Sequence, residues 1–173
     1  MQLDLTRYRQ PLSEFARTFQ PRDIGNTGND FRVMTPVELA FDIHKDKGRF
    51  RLVGTIRTEL ELECGRCLEG FRLPVDSAFD LRYLPASEAS TEPEREMSED
   101  DLETSFYRDD QIDLNELISE QFYLVLPMKP LCSEGCRGLC PQCGTNLNTG
   151  TCDCAPAWED PRLAALKGLG KSR

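Results

Sequence analysis

The sequence predicts an α+β protein: an antiparallel β-sheet with one packed helix, followed by a cysteine-rich C-terminal module. Three observations carry this prediction. Two long stretches alternate apolar and polar residues, a single segment has helical period with a capped start, and six of the eight cysteines crowd between positions 132 and 154. At 173 residues, with 39% hydrophobic and 29% charged, the chain can bury one ordinary core with a small appended module. Residues 1–126 are expected to form the sheet and helix, with a disordered acidic linker at 85–111 inside them, and residues 127–173 the cysteine-rich module.

From Phe50 the even positions read Phe50, Leu52, Gly54, Ile56, Thr58, Leu60, Leu62 and Cys64, against Arg51, Arg57, Glu59, Glu61 and Glu63 among the odd ones. This is a long strand with one buried face. After a turn over Cys64 to Gly70, the run Phe71, Leu73, Val75, Ser77, Phe79, Leu81 and Tyr83 alternates again, so the two read as an antiparallel hairpin. Pro74 has no N–H for a ladder and predicts an edge or a bulge there. Val37, Leu39, Phe41 and Ile43 mark an earlier strand that Lys47-Gly48 turns into the long one.

Between Pro85 and Gln111 ten acidic residues face two arginines, which is −8 of the formal −9 of the whole chain. Such a run reads as a solvated linker, or more sharply as an acidic arm for a basic partner. Beyond it the period changes. Asp113 sits at an N-cap with Glu116 at N3, and Ile112 is placed to staple onto Leu117. Leu114, Leu117, Ile118, Phe122 and Val125 then share one helical face, and Pro127 and Pro130 end the helix.

The cysteines divide into two sets of four. Cys140-Pro-Gln-Cys143 is a tight Cys-x-x-Cys turn opposite Cys152-Asp-Cys154, and together they form a local site like half a zinc ribbon. Cys64-Gly-Arg-Cys67 is a second such turn at the hairpin tip, and the economical division pairs it with Cys132 and Cys136. Four thiolates per ion is the set that a structural zinc takes, so two structural zinc ions are expected and the C-terminal module is a zinc module. One ion within Cys132 to Cys143, or a two-metal cluster sharing sulfurs, are the competing divisions.

Other chemistries find little support. Disulfides would require export, and the N-terminus has no apolar run for a signal; no segment reaches membrane-spanning length, which points to the cytoplasm. A redox Cys-x-x-Cys normally opens a helix, whereas a strand follows Cys67. The single histidine, His44, lies away from the cysteine motifs and reads as an ordinary surface residue, and Gly170-Lys171-Ser172 lacks the earlier glycine of a phosphate loop. No catalytic constellation, and so no small-molecule substrate, is expected.

The residues Glu63-Cys-Gly-Arg-Cys-Leu-Glu69, Ile112-Asp-Leu114, Pro127 to Pro130, and Gly138-Leu-Cys-Pro-Gln-Cys-Gly-Thr-Asn-Leu-Asn148 followed by Cys152-Asp-Cys154 resemble the YceD-like family. Asp160-Pro-Arg-Leu-Ala-Ala-Leu166 resembles its closing helix, with Asp160 as cap and Pro161 at N1. The likeness runs from about Asp30 to Leu169, and the first thirty residues match less clearly. It implies a bacterial or plastid factor of ribosome biogenesis, needed for accumulation of the large-subunit (23S) ribosomal RNA. Two four-thiolate zinc sites would take the formal charge from −9 to about −13, which disfavours extensive phosphate binding. The expectation is therefore a non-enzymatic factor that contacts a ribosomal protein or another assembly factor. The alternative is direct ribosomal RNA binding through Arg66, Lys129, Arg137, Arg162, Lys167, Lys171 and Arg173.

Overall fold

The computed structural model describes residues 1–24, 30–88 and 104–154. Its centre is the hairpin of β5 (Arg49–Glu63) and β6 (Gly70–Pro85), paired from Phe50↔Tyr83 to Glu63↔Gly70. β4 (Val37–Asp46) lies on the other side of β5, reached through a two-residue turn in which Lys47 and Gly48 both have positive φ, 45° and 84°. That backbone matches the twist of the flanking strands, and glycine takes its half of it without a Cβ penalty. In β4, Val37, Leu39, Phe41 and Ile43 are buried while their neighbours are exposed, as period-2 patterning requires. Along Gly70 to Leu81, β6 pairs on one side only among the described residues, which accommodates Pro74.

The chain before β4 contributes three strands. β1 (Gln2–Asp4) pairs with β8 (Gln111–Asp113), β2 (Leu12–Phe19) pairs along its whole length with β4, and β3 (Arg32–Val33) pairs with β5. β7 (Thr104–Tyr107) joins β6 in parallel, so the larger sheet, ordered β2-β4-β5-β6-β7, is mixed. The span 85–111 is thus narrower as a linker than composition implied, because its last residues enter β7 and β8; the acidic residues from Glu92 to Glu103 lie outside the described residues. Tyr107 carries the reason: its ring meets Phe50 edge-on at 5.6 Å and its hydroxyl donates to Gly48 O at 2.7 Å.

α1 (Leu114–Val125) covers one face of the sheet. The Asp113 carboxylate accepts from Asn115 N–H at 2.8 Å and also faces the Met1 ammonium at 3.4 Å, so it caps the helix and ties the N-terminus to it. Leu114, Leu117, Ile118 and Phe122 join the core of Val37, Leu39, Ile43, Leu52, Ile56 and Leu60. Phe31 closes the end, edge-on to Phe122 at 5.6 Å. Phe15, Phe41, Gly54 and Phe79 form one row across four strands; Phe15 stacks on Phe41 at 4.7 Å, and Phe41 meets Phe79 at 6.0 Å. A Cβ on Gly54 would sit 2.2 Å from Ala40 O and 2.3 Å from Phe41 Cβ, so only glycine fits beneath those rings. The closing helix expected at Asp160 to Leu166 lies outside the described residues.

Candidate metal centres

Proximity divides the eight free thiols into two sets, Cys64, Cys67, Cys132, Cys136 and Cys140, Cys143, Cys152, Cys154, with all sulfurs of a set within 4.8 Å of one another. In the first set Cys64 Sγ lies 3.7 Å from Cys136 Sγ, and Cys67 Sγ lies 3.7 Å from Cys132 Sγ. A sulfur tetrahedron at the usual zinc–sulfur distance has edges of about 3.8 Å, and a disulfide would need about 2.0 Å. The donor chemistry and spacing fit a tetrahedral ion and are compatible with zinc. Among the described residues no histidine or carboxylate joins either set.

Local backbone explains how each cysteine is presented. At the hairpin tip Cys64 N–H donates to Glu69 O and Leu68 N–H to Cys64 O, both at 2.9 Å, and Leu68 takes φ 62° to close the turn. In the second knuckle Gly144 N–H donates to Cys140 O at 2.9 Å with Gly144 at φ 73°, and Cys140 N–H donates to Thr145 O at 2.8 Å. The tip is fastened to the segment leaving the helix: Gly65 N–H donates to Pro130 O at 2.9 Å, the Arg66 guanidinium to Cys136 O at 2.9 Å, and Leu139 N–H to Arg66 O at 3.0 Å. Gly138, at φ 73°, permits this contact, since a Cβ there would lie 3.0 Å from Arg66 O. Cys64, Cys67 and Cys136 are buried with Phe71, Leu131 and Leu139 against them.

The thiols of each set divide electrostatically. Burial opposes the Cys64 thiolate, but the N–H groups of Cys132, Cys67 and Arg66 outweigh it and bring this thiol down to about 6. Glu69 N–H favours the Cys67 thiolate, yet burial and the sulfurs of Cys64, Cys136 and Cys132 prevail and push it up to about 12. Cys136 is lowered, chiefly by the Asn148 carboxamide, and Cys132 is raised, chiefly by Cys136. In the second set the Thr145 hydroxyl and N–H bring Cys143 down to about 6, while the sulfurs of Cys143 and Cys140 push the exposed Cys154 up to about 12. Cys140 is lowered by the N–H groups of Cys143 and Gln142; Cys152 is raised, because Cys140 and burial outweigh the favourable Cys154 N–H. Four adjacent thiolates cannot coexist without a cation, and binding one expels the remaining protons.

The other expected contact residues fall out differently. Arg66 is committed to Cys136 O, Lys129 and Arg137 are exposed, and Arg162, Lys167, Lys171 and Arg173 lie outside the described residues. A basic feature appears instead at the β4–β5 turn. His44, Arg51 and Arg82 stand opposite one another on three adjacent strands, beside a cleft of about 480 Å³ that Lys45 and Arg49 also line. Arg51 pairs with Asp80, and Arg49 with Glu88 at 2.9 Å. Only the strand register could have brought these residues together. No helix among the described residues is long and apolar enough to cross a membrane.

A Zea mays protein named large ribosomal RNA subunit accumulation protein YCED homolog 1, chloroplastic, is 30% identical over 168 residues, covering 79% of this chain and 54% of its own length. The Arabidopsis thaliana protein of that name is 29% identical over 163 residues, covering 81% of this chain and 50% of its own. An uncharacterized protein of Mycobacterium tuberculosis is 35% identical over 96 residues, 56% of this chain and 44% of its own. The chain spans about half the length of these relatives. No solved structure matches. The family model described as large ribosomal RNA subunit accumulation protein YceD matches residues 52–170, more than half of the chain and all eight cysteines, and the chain therefore belongs to the YceD family.

Proposed function

We propose that this chain is a non-enzymatic factor of ribosome biogenesis that supports accumulation of the large-subunit (23S) ribosomal RNA in the bacterial cytoplasm. It acts through contacts with a ribosomal protein or another assembly factor, on a scaffold held by two structural zinc ions. The observation that carries this reading is the pair of all-cysteine sets, which leave no place for the water or substrate that a catalytic zinc keeps in its fourth position. Zinc bound there would supply cross-linking of the chain and neutralisation of the thiolates. The first set would lock the hairpin tip to the segment after α1, and the second would close the loop from Cys143 to Cys152. The names of the plant relatives support the ribosomal role. On the exposed face of the sheet the cross-strand pairs Arg57–Asp76 at 3.1 Å and Arg72–Glu59 at 2.8 Å occupy those arginines, which favours protein contact over phosphate contact.

The basic cleft beside His44, Arg51 and Arg82 favours a second reading, direct contact with ribosomal RNA. Metal analysis tests the scaffold: two zinc ions per chain are expected, with Cys64→Ser and Cys140→Ser each losing one. Pull-down of large-subunit components before and after ribonuclease treatment tests the partner. Capture of a protein that survives ribonuclease supports the protein-contact reading. Binding that needs RNA and weakens steeply with salt establishes the RNA reading in its place.

A further inference from the structure

The loop between Cys143 and Cys152 belongs to the second sulfur set by sequence, yet one of its side chains serves the first. Asn148 Nδ2 donates to Cys136 Sγ at 3.4 Å and to Asn146 Oδ1 at 3.0 Å, while Asn148 Oδ1 accepts from Arg137 N–H at 2.7 Å. Both amide hydrogens and the carbonyl of this one side chain are therefore used, which holds it in a single orientation. The loop is fixed around it: Asn148 N–H donates to Asn146 Oδ1 at 3.0 Å, Gly150 N–H to Asn146 O at 2.9 Å, and Leu147 N–H to Gly138 O at 2.9 Å. Asn146 Nδ2 also reaches Glu69 Oε1, at 3.3 Å, on the hairpin tip that carries Cys64 and Cys67.

We propose that Asn148 couples the two sulfur sets, so that closing the second set around its ion delivers the hydrogen bond that Cys136 of the first set requires, and the two sites load cooperatively. This rests on the reading of both sets as zinc sites. The physical basis is general. A metal-bound thiolate that accepts a hydrogen bond is better stabilised, and removing such an outer-sphere partner costs roughly ten- to a hundredfold in metal affinity. A loop that is not closed must first be ordered before it can donate that bond. The coupling is reciprocal, since whatever filling the second site does for the first, filling the first does for the second. Asn148 is a positioning residue here: it touches a ligand and would not itself bind the ion.

The test is zinc titration of the purified full chain followed by native mass spectrometry, with affinities from competition against a chromophoric chelator. The wild type is expected to pass from no ion to two with little one-ion species at half saturation. Asn148→Ala is expected to bind two ions at saturation but to accumulate the one-ion species, with the first site weakened roughly ten- to a hundredfold. Asn148→Asp keeps the acceptor for Arg137 N–H and loses the donor toward Cys136, and is expected to weaken the first site at least as much as Asn148→Ala. Cys143→Ser with Cys154→Ser, which opens the loop without touching the first set, is expected to weaken that site to a similar degree. Statistical loading in the wild type, or an Asn148→Asp variant that behaves like wild type, overturns the coupling while leaving two ions per chain intact. Failure of the wild type to take two ions instead removes the zinc reading on which the coupling stands.

Discussion

Cutting the long-range cross-link at Cys132 and Cys136 should cost far more stability than cutting the local one. The sulfurs of Cys67 and Cys132 meet across 65 residues of chain. Treated as a cross-link that restricts the unfolded chain, a loop of this length is worth about 4 kcal/mol. The second set bridges Cys143 and Cys152, nine residues apart, for which the same relation gives about 2.5 kcal/mol. The perturbations are Cys132→Ser with Cys136→Ser, and Cys152→Ser with Cys154→Ser, each measured with zinc present by urea unfolding followed by circular dichroism. The first double variant is expected to lose about 4 kcal/mol, lowering the thermal midpoint by about 8–16 °C for a chain of this size. The local double variant is expected to lose about 2.5 kcal/mol. Equal losses in the two variants, or a loss under about 1 kcal/mol in the first, would refute the view that the hairpin tip is held by a metal across this loop.

Three further outcomes are expected. Gly54→Ala forces a Cβ to within 2.3 Å of Phe41 Cβ and should destabilise by about 3 kcal/mol or more, read as a shift in the urea midpoint; a change within about 0.5 kcal/mol contradicts the packing described. Asp113→Ala removes the helix cap and should cost about 1 kcal/mol in the same assay, with loss of the Asn115 N–H bond visible as faster amide exchange at that residue. Glu120 is exposed, but partial desolvation, with Glu116 beside it, raises its carboxyl above the ordinary value, so its contribution is favourable at low pH and is lost as pH rises through the folded value. Glu120→Gln should therefore raise the thermal midpoint at pH 7 and leave it unchanged at pH 3.5; a lower midpoint at pH 7 contradicts this.

Patterning made the centre of the fold legible and its margins opaque. Alternation over Phe50 to Tyr83 identified the β5–β6 hairpin because a half-buried strand must present every second residue to the core, and Lys47-Gly48 identified the turn because so few residues accept positive φ. The Asp113 cap was legible for a similar reason. β1 and β8 are three residues each, too short to show a period, and exist because Met1 and Asp113 meet across 111 intervening residues. β7 was concealed by the acidic stretch leading into it, where composition outweighs a four-residue pattern. At the sulfur sets the spacing within each Cys-x-x-Cys pair was informative, but the role of Asn148 was not. Nothing in its sequence neighbourhood distinguishes a loop asparagine from one that bonds a sulfur twelve positions away.

The long separation within the first sulfur set also imposes a schedule on synthesis. Chains grow at roughly 5–20 residues per second, so Cys64 and Cys67 wait on the order of 3–13 seconds before Cys132, 65 residues later, is even made. The second set, from Cys140 to Cys154, is completed within roughly 1–3 seconds of its first thiol. The hairpin is therefore born with two of its sulfurs unaccompanied, and its sheet must hold them in place until Cys132 and Cys136 arrive.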